Sequence, residues 1–207
     1  VLHDQELTAL VSSRICHDLI SPIGAISNGV ELLALGTKNT SPELDLIGES
    51  VSSATDKLRC FRIAFGAAEI GARLPTSEIV TATEAMFSGR ASVSFTGDMP
   101  ADVPRAVGKA LLLTLLCQER CLPLGGRSEV SLAGDGFKVV TAAPRLKDLG
   151  QLWLLVDRDA RPQKVIPAEV QFPLLGQLLH TYGQTLSREF GEERIELALS
   201  GLSTPAA

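Results

Sequence analysis

Residues 47–72 read IGESVSSATDKLRCFRIAFGAAEIGA, and within them Ile47, Val51, Ala54, Leu58, Phe61, Phe65, Ala68 and Ala72 recur at steps of 4, 3, 4, 3, 4, 3 and 4. Alternating steps of that size line one face of a helix with apolar side chains, which is the seam of a bundle helix. Upstream, residues 4–35 contain only Pro22 as a breaker, and Leu19, Ile23, Ile26, Val30 and Leu33 recur at 4, 3, 4 and 3. Between the two lies GTKNTS, with Gly36 as helix stop, Ser41 as N-cap and Pro42 at the first helical position. At about 1.5 Å per residue each helix runs roughly 45 Å. Two such helices on a short loop form an antiparallel hairpin. A lone hairpin leaves half of each apolar stripe wet, so pairing with a second copy into a four-helix bundle is expected.

Beyond Arg73 the texture changes. Thr76–Phe87 reads as a short helix and Ala91–Thr96 (ASVSFT) alternates as a strand. Pro104–Leu122 is helical and is stopped by Pro123, Gly125 and Gly126. Ser128–Ala133 and Phe137–Ala142 flank Gly134-Asp135-Gly136 as a hairpin. Leu146–Val156 fits helix or strand, Asp157–Pro167 a loop, and Ala168–Tyr182 a helix; Thr185–Phe190 and Ile195–Leu199 form a closing hairpin before the tail STPAA. The expected fold class is α+β: a helical hairpin over residues 1–73, then a layered domain over residues 74–207.

Composition narrows the function. The 207 residues carry 19 Lys+Arg against 24 Asp+Glu, a net charge of −5 with no basic run, which argues against nucleic acid as the partner. Hydrophobic residues at 45% and charged residues at 21% describe a globular chain, and aromatics at only 4% leave the core to Leu, Val, Ile and Ala. No apolar run reaches the ~18 residues of a membrane span, and the acidic, amphipathic start VLHDQELTAL does not resemble a signal peptide. Cys16, Cys60, Cys117 and Cys121 form no C-x-x-C pair, and with His3, His17 and His180 they give no zinc signature. Free thiols point to a reducing, cytoplasmic setting.

The densest chemistry lies in residues 13–26, SRICHDLISPIGAI. His17 follows the seam residue Cys16, so it points about 100° off the seam, onto the flank of the bundle. Ser13, Ser21 and Gly24 share its face and leave room for a partner. Arg14, one turn earlier, can accompany an anion there, and Ile20 offers an exposed apolar contact. Asp18, next in sequence, reaches the imidazole only from the side. Pro22 has no N–H to offer the Asp18 carbonyl, so a kink is expected one turn after His17. An imidazole titrates near 6.5 and so keeps a neutral nitrogen for nucleophilic phosphoryl chemistry. A metal-dependent His-Asp phosphohydrolase needs more ligands than three histidines supply.

The string CHDLISPIGAI resembles the histidine box of two-component signalling proteins, of the pattern S-H-[ED]-L-R-x-P-L-x-x-I. His17, Asp18, Leu19, Pro22 and Ile26 match in order; Ile20 stands where kinases carry Arg and Cys16 where they carry Ser. Leu111–Gly126, LLLTLLCQERCLPLGG, is similar to the kinase N-box helix, with Thr114 and Gln118 at its two Asn positions. The following strand, KVVTAAPRL, lacks the Asp-x-Gly-x-Gly turn that reads adenine, and Gly176 alone stands where a glycine lid belongs. A phosphate cradle needs backbone N–H groups freed by glycines. Together these features resemble the ChpT-type histidine phosphotransferases, a kinase-like dimerisation hairpin fused to a degenerate ATPase-like α/β sandwich.

The resemblance implies a phosphorelay in which His17 accepts phosphate from the receiver domain of a hybrid kinase and passes it to response regulators, with Asp18 assisting. Ser13, Arg14, Ile20, Ser21 and Gly24 are then the docking face. The receiver supplies the Mg²⁺; this chain is expected to bind neither ATP nor metal. Three other readings use the same residues: an ATP-dependent histidine kinase with a divergent nucleotide site, a dimeric receiver-binding adaptor that carries no phosphate, and a phosphatase acting on receivers.

Overall fold

The structure is a computed structural model and describes residues 3–35, 41–157 and 164–202. Helices α1 (Asp4–Leu35) and α2 (Ser41–Ala64) form the hairpin. They run antiparallel: Gly29 of α1 faces Ile47 of α2, while Asp18 meets Lys57 further along. A Cβ at Gly29 would stand 2.6 Å from Ile47 Cγ1, so a glycine is what lets the two backbones approach there. Helix α1 continues through Pro22. The Asp18 carbonyl, deprived of a partner by that proline, accepts instead from Lys57 Nζ at 3.1 Å.

Helix α2 ends earlier than its heptads. The seam was expected to reach Ala72, but the helix stops at Ala64. The physical reason lies across the interface. Arg105 Nη2 and Nε donate to the carbonyls of Arg62 and Ala67, and Lys109 Nζ donates to that of Gly66. Cations thus satisfy one carbonyl of the last turn, that of Arg62, and two just past it, and oppose the negative end of the helix dipole. Burial, and then the neighbouring Arg105, lower the pKa of Lys109 below the ordinary lysine range. Phe61 stacks on Phe65 at 5.2 Å, and Phe65 and Ala68 turn onto the core of the following layers.

Those layers begin with β1 (Arg73–Pro75), α3 (Thr76–Met86), β2 (Ala91–Phe95) and β3 (Asp102–Pro104). Strands β1 and β3 pair antiparallel as a small separate sheet; three residues each are too short to show as alternation. Then come α4 (Arg105–Glu119), β4 (Gly126–Leu132), β5 (Phe137–Ala142) and α5 (Gly150–Asp157). A 3₁₀ turn (Pro167–Glu169), α6 (Gln171–Thr181), β6 (Ser187–Phe190) and β7 (Arg194–Leu199) complete the order. The main sheet is ordered β2-β4-β5-β7-β6, parallel at β2–β4 and antiparallel elsewhere.

Helix α4 lies at the centre. Leu111, Leu112 and Leu113 are fully enclosed, with Phe172 and Leu175 of α6 and Val130, Val139, Ile195 and Leu197 of the sheet in the same core. Of the ambiguous stretch 146–156, residues 150–156 are helical, in α5, and 146–149 are a connection; α5 carries the only tryptophan, Trp153, edge-on to Phe172. Gly176 serves packing: a Cβ there would meet the Leu155 carbonyl at 2.5 Å, so α5 and α6 touch backbone to backbone. The helix expected over 168–182 is divided into the 3₁₀ turn and α6, and α4 ends at Glu119, short of Leu122. Gly36 and the loop after it, residues 158–163 of the second loop, the first two residues and the tail STPAA lie outside the described residues. Among the described residues no helix is long and apolar enough to cross a membrane.

Candidate functional site

The His17 side chain is 85% exposed on the flank of α1. At about 100° per residue, Cys16, Ile23 and Val30 form one stripe of the helix, and His17 with Ser13 and Gly24 forms the next one round. Ser13, Cys16, Ser21 and Gly24 are exposed, Ile20 is 68% exposed, and a Cβ built on Gly24 meets open space. Among the described residues, no other element covers the face around the imidazole.

Asp18 turns one carboxylate oxygen to the ring: Oδ1 lies 3.1 Å from His17 Nδ1. A carboxylate only accepts, so Nδ1 is the donor in this bond and Nε2 is the nitrogen left for a partner. The other oxygen, Oδ2, accepts from Arg14 Nε at 2.6 Å. Arg14 and Asp18 are themselves sunk, with side chains 14% and 16% exposed. Arg14 Nη1 reaches on to the Ala168 carbonyl at 3.1 Å, a bond across 154 residues that ties the hairpin to the 3₁₀ turn. That carbonyl also accepts from Gln171 Nε2 at 3.0 Å.

Five of the seven residues expected at the site therefore share the open flank: His17, Ser13, Ile20, Ser21 and Gly24. The other two point inward. Asp18 stands between His17 and Arg14, and Arg14 spends Nε and Nη1 on Asp18 and Ala168 instead of facing an incoming anion. Sequence reasoning missed three groups. Lys57 carries a faint signal, since Pro22 leaves a carbonyl wanting a donor. The Ala168 carbonyl and Glu119 carry none. Glu119 lies with Arg14, Arg90 and Arg120 in a cleft of about 480 Å³ beside α1. Burial raises its carboxyl above the ordinary range, Arg14 pulls it back, Asp18 adds to the rise, and Arg120 opposes it.

The two N-box positions also face inward. Thr114 is fully buried and Gln118 nearly so. Gln118 Nε2 donates to Ser128 Oγ at 2.8 Å, and that hydroxyl pairs with Thr141 Oγ1 at 2.9 Å. A three-residue polar chain thus joins α4 to β4 and β5. Among the described residues no group of three or more His, Cys, Asp or Glu side chains is arranged to hold a metal ion.

Comparison with known proteins agrees with this architecture. Residues 76–194 match the histidine phosphotransferase C-terminal domain. The chain is 35% identical over 179 residues to protein phosphotransferase ChpT of Brucella abortus (strain 2308), covering 84% of this chain and 85% of that one. A solved bacterial phosphotransferase superimposes with a TM-score of 0.80 at 31% identity, over 97% of this chain and 98% of the other. With a family model over more than half of the chain and a relative 35% identical over most of it, the chain belongs to the ChpT-like histidine phosphotransferase family.

Proposed function

We propose that His17 is the phosphoryl carrier of a phosphorelay, loaded from the aspartyl phosphate of one receiver domain and unloaded to the aspartate of another. One observation carries this reading: His17 Nε2 is open to solvent while Nδ1 is held by Asp18. In the forward step the Nε2 lone pair attacks phosphorus, the N–P bond forms, and the P–O bond to the receiver aspartate breaks, releasing a carboxylate. The imidazole gains positive charge, which the Asp18 carboxylate opposes through the Nδ1–H it already accepts. The receiver brings the Mg²⁺ that neutralises the phosphoryl oxygens; this chain brings nucleophile, orientation and docking surface. Ser13, Ile20, Ser21 and Gly24 form that surface. The step is reversible, so the same site drains phosphate as well as delivering it.

ATP has no part in this reading. The side chains at the N-box positions are committed to the core, and Ala142, Ala143 and Pro144 stand in place of the adenine-reading turn. We further take residues 1–73 as the dimerisation and transfer unit, residues 74–207 as the degenerate ATPase-like unit, and the setting as cytoplasmic.

The hairpin is proposed to complete itself by dimerising into a four-helix bundle. Ile23 and Val30 of α1 are exposed, as are Leu44, Val51 and Leu58 of α2. Each set sits about 100° round from the line where the helices touch. Because the helices are antiparallel, that turn brings both sets to the same side. Covering such side chains contributes roughly 1.5–3 kcal/mol each, and a second copy presents the matching stripe. The deciding experiment is transfer from a phosphorylated receiver to the wild type and to His17→Gln. The wild type is expected to take up acid-labile, base-stable phosphate and the variant none, with stability changed by less than about 0.5 kcal/mol. Label on His17→Gln would overturn the assignment.

A further inference from the structure

We propose that Arg14 is a positioning residue through which the C-terminal layers fix the reactive tautomer of His17. The inference rests on the reading of His17 as carrier and adds what the degenerate layers do for it. Four groups stand in line. The Ala168 carbonyl, held in place by Gln171, accepts from Arg14 Nη1; Arg14 Nε donates to Asp18 Oδ2; Asp18 Oδ1 accepts from His17 Nδ1. Gln171 is itself buried and also donates to the Leu116 carbonyl of α4, at 3.3 Å. The far end of the line is therefore anchored in the core and not on the surface.

The near end needs that anchor. An aspartate next to a histidine in a helix does not stack over it, so its carboxylate meets Nδ1 only in a restricted set of side-chain angles. On an isolated helix an exposed i, i+4 ion pair contributes only a few tenths of a kcal/mol and rearranges freely. Here the guanidinium is immobilised by its second bond to Ala168, so Oδ2 has a fixed donor and Oδ1 is aimed at the ring. A planar fork with separate N–H groups serves two acceptors at once, which a lysine ammonium on a flexible stem does less rigidly. Asp18 accepting from Nδ1 leaves the lone pair on Nε2, the exposed nitrogen. Release of Asp18 would let the proton sit on either nitrogen and would leave the developing imidazolium without a fixed counter-charge.

The test has two readouts on full-length protein. In ¹⁵N-histidine spectra the wild-type His17 ring is expected to show Nδ1 protonated and Nε2 free, and Arg14→Met to show a tautomer mixture. In transfer from a phosphorylated receiver, Arg14→Met should lower the maximal rate about tenfold, by analogy with loss of the group that orients a metal-bound imidazole, with the receiver's half-saturating concentration unchanged. Arg14→Lys, which keeps the charge and is the control if the methionine variant folds poorly, should recover part of the rate. The proposal is overturned if Nε2 is the protonated nitrogen in the wild type. It is equally overturned if Arg14→Met keeps the wild-type spectrum and rate, or raises only the half-saturating concentration, which is the behaviour of a docking residue. The spectra do not depend on phosphate, so label on His17→Gln would sink the carrier reading separately.

Discussion

Leu111, Leu112 and Leu113 of α4 are closed off completely, whereas Ile23, Val30, Val51 and Leu58 of the hairpin lie open although they obey a stricter apolar repeat. The difference is geometric. Helix α4 has the main sheet on one side and α2 and α6 on others, so each of its leucines meets the chain's own atoms. Helices α1 and α2 have chiefly each other over most of their length, and two cylinders in contact cover only one stripe of each. The comparison teaches that a regular seam announces a surface to be covered, not what covers it. It also locates the chemistry. The layers reach Asp18, beside His17, through Arg14, while the hairpin flank leaves His17 itself open.

The sharpest way to break this contrast is Leu58→Asp. It should convert the proposed dimer to monomer in light scattering while the layers keep their fold, and a monomeric wild type at micromolar concentration would remove the basis for a bundle. The thiols provide a second gauge of the same variant. Burial pushes Cys60 up to about 12 and Cys121 up to about 11, and Cys117 well above the ordinary thiol range. A maleimide near neutral pH should therefore react with Cys16 alone, faster in Leu58→Asp than in the wild type, because Cys16 shares the stripe of Ile23 and Val30 that the proposed dimer covers. The reverse experiment is Leu112→Ala. Emptying a fully enclosed site should cost about 2–5 kcal/mol in denaturant unfolding and leave the oligomeric state alone. Should Leu112→Ala separate the dimer, the two regions would not be independent in the way described.

The smallest effect on the fold is expected at Gly24. Nothing stands near its Cβ position, and leucine is a better helix former than glycine by nearly 1 kcal/mol. Gly24→Leu should therefore melt no lower than the wild type while binding a receiver several-fold more weakly. Unchanged receiver binding would place the docking face elsewhere on the hairpin.

Much of this was legible in residues 4–72 alone. Heptad spacing determines which side chains share a helix face, because about 3.6 residues per turn is a local property of the backbone. The hairpin, the exposure of His17 and the small residues around it follow from that. The alternation in residues 128–133 and 137–142 and the turn between them fixed a hairpin for the same reason. What only the tertiary structure decided involves partners distant in sequence. Helix α2 ends at Ala64, where Arg105 of another helix meets the Arg62 carbonyl and, with Lys109, the carbonyls of Ala67 and Gly66 just beyond the end. Gln118 turns into the core because Ser128 and Thr141 wait there. Arg14 faces Asp18 and Ala168, the latter 154 residues away, and not the open flank that Ser13 and His17 occupy. A helical repeat sets the direction in which a long side chain sets out. Where its charged end finds a partner depends on how the layers pack against that face, and no spacing within one helix encodes that.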